Sequence, residues 1–285
     1  MIEPVISERF TKEIGQHLVL SYVALAEHPL ILGIFGPPGE GKTFQLRTLL
    51  SRFGVEIFSI NAADLESDRA GVPGKLVVEQ YVSAAHRIAA GFPAAIIVDD
   101  IDTTLGEWAR NTGTVNHQQV LAQLMHLADH PQSIERIGTV RRVPVFVTGN
   151  DPAKVYTPLR RPGRMAILHW EPDERERADT ISAILSETLP AEKVEQLLDL
   201  YTHRPIAFFT QLDGAVKRRV AASVITKSTT DLVTLVCKPT QYLRYIEAAI
   251  ASSRDDISST VDELARTLDT SFNAAGLSYL GGTGG

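Results

Sequence analysis

The sequence is poor in several residue types on which particular classes of protein depend. It has one cysteine, Cys237, in 285 residues, which excludes an intramolecular disulfide framework and an all-cysteine metal site and indicates a reducing compartment. Basic residues are too few to dominate the surface, because 28 lysines and arginines stand against 34 aspartates and glutamates. The formal net charge of −6 argues against nucleic-acid binding through a general basic surface.

Hydrophobic runs of membrane-spanning length are also absent from the sequence. The first ten residues carry Glu3 and Glu8 and lack the basic and then apolar pattern of a signal peptide. We therefore expect a soluble, cytoplasmic protein with no membrane partner. Apolar residues make up 44 % of the chain, enough for a sizeable core, and the length favours two packed domains.

A loop rich in glycine and proline follows the apolar segment 30–35. Gly36, Gly41, Lys42 and Thr43 fit the pattern G-x-x-x-x-G-K-[ST], and a helical pattern comes next. Glycines let successive backbone N–H groups turn toward phosphate oxygens, and the helix N-terminus adds partial positive charge. In such loops the lysine reaches the β- and γ-phosphates and the threonine hydroxyl is a Mg²⁺ ligand. Glycine loops also join strands to helices for structural reasons alone, but the complete pattern predicts nucleotide binding.

Apolar segments alternate with helical patterns up to residue 170, which indicates parallel βαβ units. The predicted strands are 30–35, 55–60, 94–102, 143–150 and 165–170, and the predicted helices between and before them include 6–26, 75–90 and 115–129. Later residues have mainly helical patterns. The predicted division is an N-terminal helical segment (1–28), an α/β nucleotide-binding domain with a parallel sheet (29–170), an α-helical lid domain (171–278) and a flexible tail (279–285). The leading helix could pack on the nucleotide domain or contact a partner.

Two carboxylates end the third predicted strand. Asp99 is expected to hold Mg²⁺ through water, and Asp100 to polarise the water that attacks the phosphate. The side chain of Asp100 is shorter than the glutamate common in this role. The sequence therefore supports Asp100 as the base less strongly than it supports Asp99 as the metal residue. Alternatively, these carboxylates would only cap the following helix.

A polar side chain and a group of arginines follow the next strand. Asn150 could hydrogen-bond both a water and the γ-phosphate, as a sensor of the terminal phosphate, or could form a simple Asx turn before Pro152. Arg160, Arg161 and Arg164 suit an arginine finger that reaches the γ-phosphate of a neighbouring subunit, or a solvated basic turn. The order of phosphate loop, acidic strand, asparagine and arginine is typical of an AAA+ ATPase.

Several stretches outside these general motifs carry a closer resemblance, which covers most of residues 6–220. They are 30–34, 41–45, 64–67, 115–116, 124–125 with 128–129, 147–151 and 163–165. In these stretches the chain resembles the Rubisco activases. The resemblance implies an AAA+ ring, usually a hexamer, that uses ATP to remodel inhibited Rubisco and release tight-binding sugar phosphates.

The resemblance also assigns roles to residues. Asp99, Asp100 and Asp102 match the acidic strand end of the activases, and Asn150 matches their sensor. Arg161 and Arg164 match the arginines at their subunit interface. The predicted nucleotide-binding set is Gly36, Pro37, Pro38, Gly39, Glu40, Gly41, Lys42, Thr43, Phe44 and Arg219, with Thr43 and Asp99 as the metal residues. Segments 65–74 and 105–114 are the expected pore loops, and the second lacks the family's tyrosine.

The second sensor depends on the alignment chosen. An ungapped register places Asp213 and Ala215 where activases carry paired arginines, whereas a four-residue insertion aligns the basic stretch 216–220 with that motif. We favour the insertion, which gives Arg219, because basic side chains on the lid helix have an electrostatic role toward phosphate. Two other functions stay open: a loader-type AAA+ ATPase acting on DNA or another protein assembly, and a nucleotide-switched scaffold with weak hydrolysis.

Overall fold

The computed structural model describes residues 4–61, 72–104, 115–227, 248 and 258–280. It divides into two compact units, one spanning Ile6–Glu171 and one made of Met1–Val5 and Pro172–Gly285. Several predictions concern segments outside the described residues: the pore loops over 65–71 and 105–114, an ambiguous segment at 233–237, and the last five residues of the expected tail. None of the helices in the described part of the chain is long and apolar enough to cross a membrane.

The first unit is built on a five-stranded sheet. Its strands are β1 (Ile31–Phe35), β2 (Glu56–Ile60), β3 (Ala94–Val98), β6 (Val145–Gly149) and β7 (Met165–His169), in the order β2-β3-β6-β1-β7. Every pairing in this sheet is parallel. The strands β1, β3 and β6 are buried at all five positions, because helices cover both faces of the sheet. Their sequences are accordingly apolar runs, and the predicted parallel α/β fold is confirmed.

Helices pack against both faces of this sheet. They are α1 (Glu8–Tyr22), α2 (Lys42–Arg52), α3 (Val72–Ala89), the short α4 (Ile101–Thr104) and α5 (Val115–Asp129). One face carries a cluster with Tyr81 of α3 and Leu124 of α5, and the other carries α1 and α2. The leading helix α1 thus packs on the α/β sheet of the first unit: Phe10, Ile14 and Leu18 recur at helical spacing and are buried.

A small hairpin was missing from the predicted elements. It joins β4 (Ser133–Ile134) to β5 (Gly138–Thr139) as an antiparallel pair. Two-residue strands are too short to show a hydrophobic period, so the sequence pattern gives no signal for them. The predicted third strand was also too long, since β3 ends at Val98 and Asp102 lies in α4. Asp99 and Asp100 form the turn between these two elements.

The second unit is helical in its described part. Its helices are α6 (Glu174–Leu185), α7 (Ala191–Leu200), α8 (Ile206–Lys227) and α9 (Ser258–Leu280). A capping box between Asp173 and Glu176 starts α6, and Phe208 and Phe209 are fully buried in the core of the unit. Arg204, in the turn just before α8, forms an ion pair with Asp269 of α9 at 2.5 Å. The predicted helical region after the α/β domain is confirmed.

Candidate nucleotide-binding site

The glycine loop between β1 and α2 has a backbone that only glycine allows at key positions. A Cβ on Gly36 would lie 1.8 Å from the carbonyl oxygen of Trp170, so no other residue fits there. Gly39 and Gly41 have φ angles of 81° and 73°, in the left-handed region. The indole N–H of Trp170 donates to the carbonyl oxygen of Glu40 at 3.1 Å and so holds this part of the loop in place. Gly41 caps α2 without a side-chain hydrogen bond, which leaves the helix N-terminus for an anion.

Lys42 bends back over this loop. Its Nζ donates to the carbonyl oxygens of Gly36 and Pro37, both at 2.8 Å, and to Asn150 Oδ1 at 3.2 Å. Burial lowers the pKa of Lys42, although the nearby carboxylates of Asp100, Asp102 and Glu40 act in the opposite direction. The structure therefore brings together the predicted phosphate-binding lysine and the predicted sensor asparagine, which are 108 residues apart.

A buried hydroxyl joins the two predicted metal residues. Thr148 Oγ1 accepts from the Thr43 hydroxyl at 3.3 Å and from the backbone N–H of Asp100 at 3.2 Å, and it donates to Asp99 Oδ1 at 3.3 Å. One donor and two acceptor sites are the full capacity of a hydroxyl. Thr148 is fully buried near the end of an apolar strand. The sequence pattern does not predict it as a site residue; the available signal is a polar side chain in an apolar strand, two residues before Asn150.

Asp100 has a left-handed backbone, with φ at 49°. Aspartate reaches this conformation more readily than glutamate does, which gives a local reason for the short side chain at the predicted base position. Burial raises the pKa of Asp100, the carboxylates of Asp99 and Asp102 raise it further, and Lys42 lowers it. A carboxyl with a raised pKa beside the predicted phosphate-binding lysine is suited to accept a proton from water.

Asp102 holds the sensor segment by its backbone. Its Oδ2 accepts from the N–H groups of Asn150 at 2.9 Å and Asp151 at 3.0 Å. The side chain is buried, and its Oδ1 has no hydrogen-bond partner among the described residues. Gly149 makes room for it, since a Cβ there would lie 2.8 Å from Oδ1. Asp102 thereby positions Asn150 for its contact with Lys42.

The two predicted interface arginines differ in their surroundings. Arg164 forms a bidentate pair with Asp129, at 2.7 and 2.6 Å, and donates to the carbonyl oxygen of Pro158 at 2.8 Å. This pairing lowers the pKa of Asp129. Arg161 is exposed and makes no side-chain ion pair within the described residues. An anchored arginine and an exposed one thus stand within three residues of each other.

The remaining predicted nucleotide residues lie at the surface. Phe44, the second residue of α2, keeps 59 % of its surface exposed and leaves an aromatic face available beside the loop. In the second unit, Arg219 is an exposed residue of α8. Its neighbour Lys217 is paired with Asp213 at 2.7 Å, so Lys217 is already neutralised within its own unit.

Most of the first unit matches a known protein family. Residues 32–172 match the model of the ATPase family associated with various cellular activities (AAA). These residues include the glycine loop and the carboxyl ends of β3 and β6. The sheet order, the loop and this match agree, and the chain carries a domain of the AAA family of ATPases.

Known relatives narrow this class. The chain is 36 % identical over 221 residues to the ribulose bisphosphate carboxylase/oxygenase activase of Nostoc sp., a match that covers 74 % of this chain and 53 % of the relative. It is 35 % identical over 224 residues to the chloroplastic activase of Spinacia oleracea, covering 75 % of this chain and 47 % of the relative. The chain spans about half the length of the curated relatives it matches. It is an activase-like AAA+ protein, and the predicted resemblance is confirmed.

Proposed function

We propose that the chain binds ATP with Mg²⁺ at the loop 36–43 and hydrolyses it. The observation that carries this proposal is the contact of Lys42 with Asn150, next to the chain of hydroxyls from Thr43 through Thr148 to Asp99. Hydroxyl and carboxylate oxygens are the ligands that Mg²⁺ prefers, and it commonly takes only one or two from the protein. Bound there by Thr43 and, through water, by Asp99, the ion would neutralise charge on the phosphate oxygens.

Each side chain then has a task that its surroundings support. Lys42 would exchange the loop carbonyls for phosphate oxygens, a stronger, charge-assisted interaction. Asn150, held through Asp102, would orient the attacking water and sense the γ-phosphate. Asp100 would accept a proton from that water. Phe44 would offer its exposed ring to the base of the nucleotide.

Hydrolysis is proposed to take place in a ring of subunits, a hexamer, with arginines supplied across each interface. The exposed Arg161 would reach the neighbouring γ-phosphate, and Arg164, held by Asp129, would fix the turn that presents it while contributing its own charge. From the lid, Arg219 would act as the second sensor. The domain division at 29–170 and 171–278 is part of this proposal.

The proposed target is inhibited Rubisco, from which the ring would release tight-binding sugar phosphates in the cytoplasm. Similarity to activases over about three quarters of this chain supports this target. The net charge of −6 counts against a nucleic-acid substrate.

Rubisco from the same cell, inhibited by a bound sugar phosphate, tests the proposal. We expect carboxylase activity to recover when the chain and ATP are added, and to stay low with Lys42→Ala or without ATP. Active ATPase with no recovery of Rubisco would overturn the target while leaving the nucleotide site intact. Stimulation of the ATPase by DNA in the same assay would favour the loader-type alternative.

A further inference from the structure

Asp99, the carboxylate proposed to bind Mg²⁺ through water, forms an ion pair with Arg47 of the same chain. Arg47 lies one helical turn after Thr43 on α2, and this spacing places both side chains on the same face of the helix. The Arg47 guanidinium contacts Asp99 Oδ2 at 2.5 Å and donates to the Ser59 hydroxyl at 3.1 Å. Asp99 Oδ1 accepts from Thr148, so both oxygens of this carboxylate are engaged.

The guanidinium of Arg47 places a full positive charge against Asp99. A divalent ion that approaches the same carboxylate therefore meets a like charge. The side chains of Arg47 and Asp99 keep 36 % and 21 % of their surface exposed, which leaves the guanidinium room to move toward solvent. A divalent ion at this site must therefore either displace Arg47 from Asp99 or bind beside a like charge, and both cost free energy.

We propose that Arg47 is a resident counter-ion of Asp99 that sets the divalent-cation affinity of the nucleotide site. It holds the carboxylate in place while the metal is absent and weakens metal binding when nucleotide is present. A chain with this device releases the metal more readily than one with an uncharged residue at position 47. The inference rests on the proposed function, because it requires that the loop binds nucleotide.

The protein offers a matched control at the other end of the same two strands. Arg87 pairs with Glu56 at 2.5 Å, where Glu56 begins β2, whereas Asp99 directly follows β3. This second arginine–carboxylate pair has the same length and lies in the same unit, but at the edge of the sheet away from the glycine loop. Arg87→Gln therefore removes an equivalent ion pair without touching the site.

The test measures Mn²⁺ affinity by electron paramagnetic resonance on the full chain loaded with ADP. ADP binding without metal is first measured by calorimetry for every variant. We expect Arg47→Gln and Arg47→Met to bind Mn²⁺ about ten-fold more tightly than the wild type, because one repelling unit charge is removed. Arg47→Lys, which keeps the charge, and the control Arg87→Gln should both stay within about two-fold of the wild type.

The direction of the effect separates this role from a structural one. A residue that only supported the fold would weaken metal binding when replaced, or leave it unchanged. Unchanged or weaker Mn²⁺ binding in both neutral variants, with normal ADP binding, would overturn the role of Arg47 alone. Absence of ADP binding in the wild type would overturn the nucleotide site and this inference with it.

Discussion

Thr148 and Asp99 are joined by a hydrogen bond of 3.3 Å that ties the end of β6 to the turn after β3. The same hydroxyl accepts from Thr43 and from the backbone N–H of Asp100, so one fully buried atom connects the predicted metal residues with the predicted base. Its geometry depends on the parallel sheet, in which β3 and β6 are neighbours. A substitution at this position therefore tests whether the arrangement matters for hydrolysis.

Thr148→Val keeps the shape of the side chain and the strand propensity but removes the hydroxyl. We expect ATP hydrolysis to fall about 10- to 100-fold, because Asp99 and Asp100 lose the contact that positions them. Loss of the three hydrogen bonds of this buried hydroxyl should lower the free energy of unfolding by about 1–3 kcal/mol. Thr148→Ser retains the hydroxyl and is the control. Equal hydrolysis by the valine variant and the wild type would contradict a positioning role.

Lys42→Ala should abolish nucleotide binding, since it removes the only charged side chain that contacts the loop carbonyls of Gly36 and Pro37 among the described residues. The loss is measured by calorimetric titration with ATP. Lys12→Ala, which removes an exposed lysine from α1, is the charge-matched control and should bind ATP normally. Unchanged ATP affinity in the Lys42 variant would remove the site from this loop.

The strands and the glycine loop could be predicted because their signals are local. Five apolar runs and one spaced motif suffice for a parallel sheet with a phosphate loop. The contacts of Thr148, Arg47 and Asp102 could not be predicted from the sequence, because each contact depends on which strands are neighbours and where each strand ends. Arg47 in particular has no pattern of its own: on sequence alone it is an ordinary helical arginine, and only the fold brings it to Asp99, 52 residues later.

A histidine pair, in which His17 is buried and His28 is half-buried, makes the first unit sensitive to acid. His17 Nδ1 lies 2.9 Å from His28 Nε2, and burial, then the charges of His28 and Arg142, lower the pKa of His17 from 6.5 to about 3. In the unfolded chain the residue takes up a proton below about pH 6.5, whereas in the folded chain it stays neutral until about pH 3. Its contribution to stability is therefore complete above pH 6.5 and declines as the pH falls.

We expect His17 alone to reduce the free energy of unfolding by about 2 kcal/mol between pH 7 and pH 5. Burial and Arg142 also lower the pKa of His28, which adds to the effect with the same sign. Urea unfolding can be followed by the fluorescence of Trp170, which is fully buried in the first unit. His17→Gln should show a correspondingly smaller loss between the two pH values. An identical loss in both proteins would show that the histidine does not titrate in this way.

Mixed rings test the arginine that the structure anchors to Asp129. Arg164→Ala should bind ATP normally but hydrolyse little, since its charge is proposed to act on the neighbouring subunit's nucleotide. Lys42→Ala keeps Arg164, so in a mixed ring it can supply this arginine to a neighbouring Arg164→Ala subunit that binds ATP. In a random ring made from equal amounts of the two variants, about a quarter of the interfaces have this arrangement. Part of the ATPase should return, measured as phosphate release across a series of mixing ratios.

The anchoring pair supplies the control for this experiment. Asp129→Asn releases Arg164 from its bidentate partner but keeps the arginine, so it separates the loss of charge from the loss of the turn that presents Arg161. If the charge of Arg164 acts across the interface in addition to fixing the turn, Asp129→Asn retains more hydrolysis than Arg164→Ala does. If Arg164 serves only to fix the turn, Arg164→Ala and Asp129→Asn lose hydrolysis equally. In that case Arg161→Ala is inactive as well, although its Arg164–Asp129 pair is intact. Rescue at no mixing ratio for either arginine would exclude an inter-subunit finger, because a ring that shares its sites must allow each mutant to supply what the other lacks.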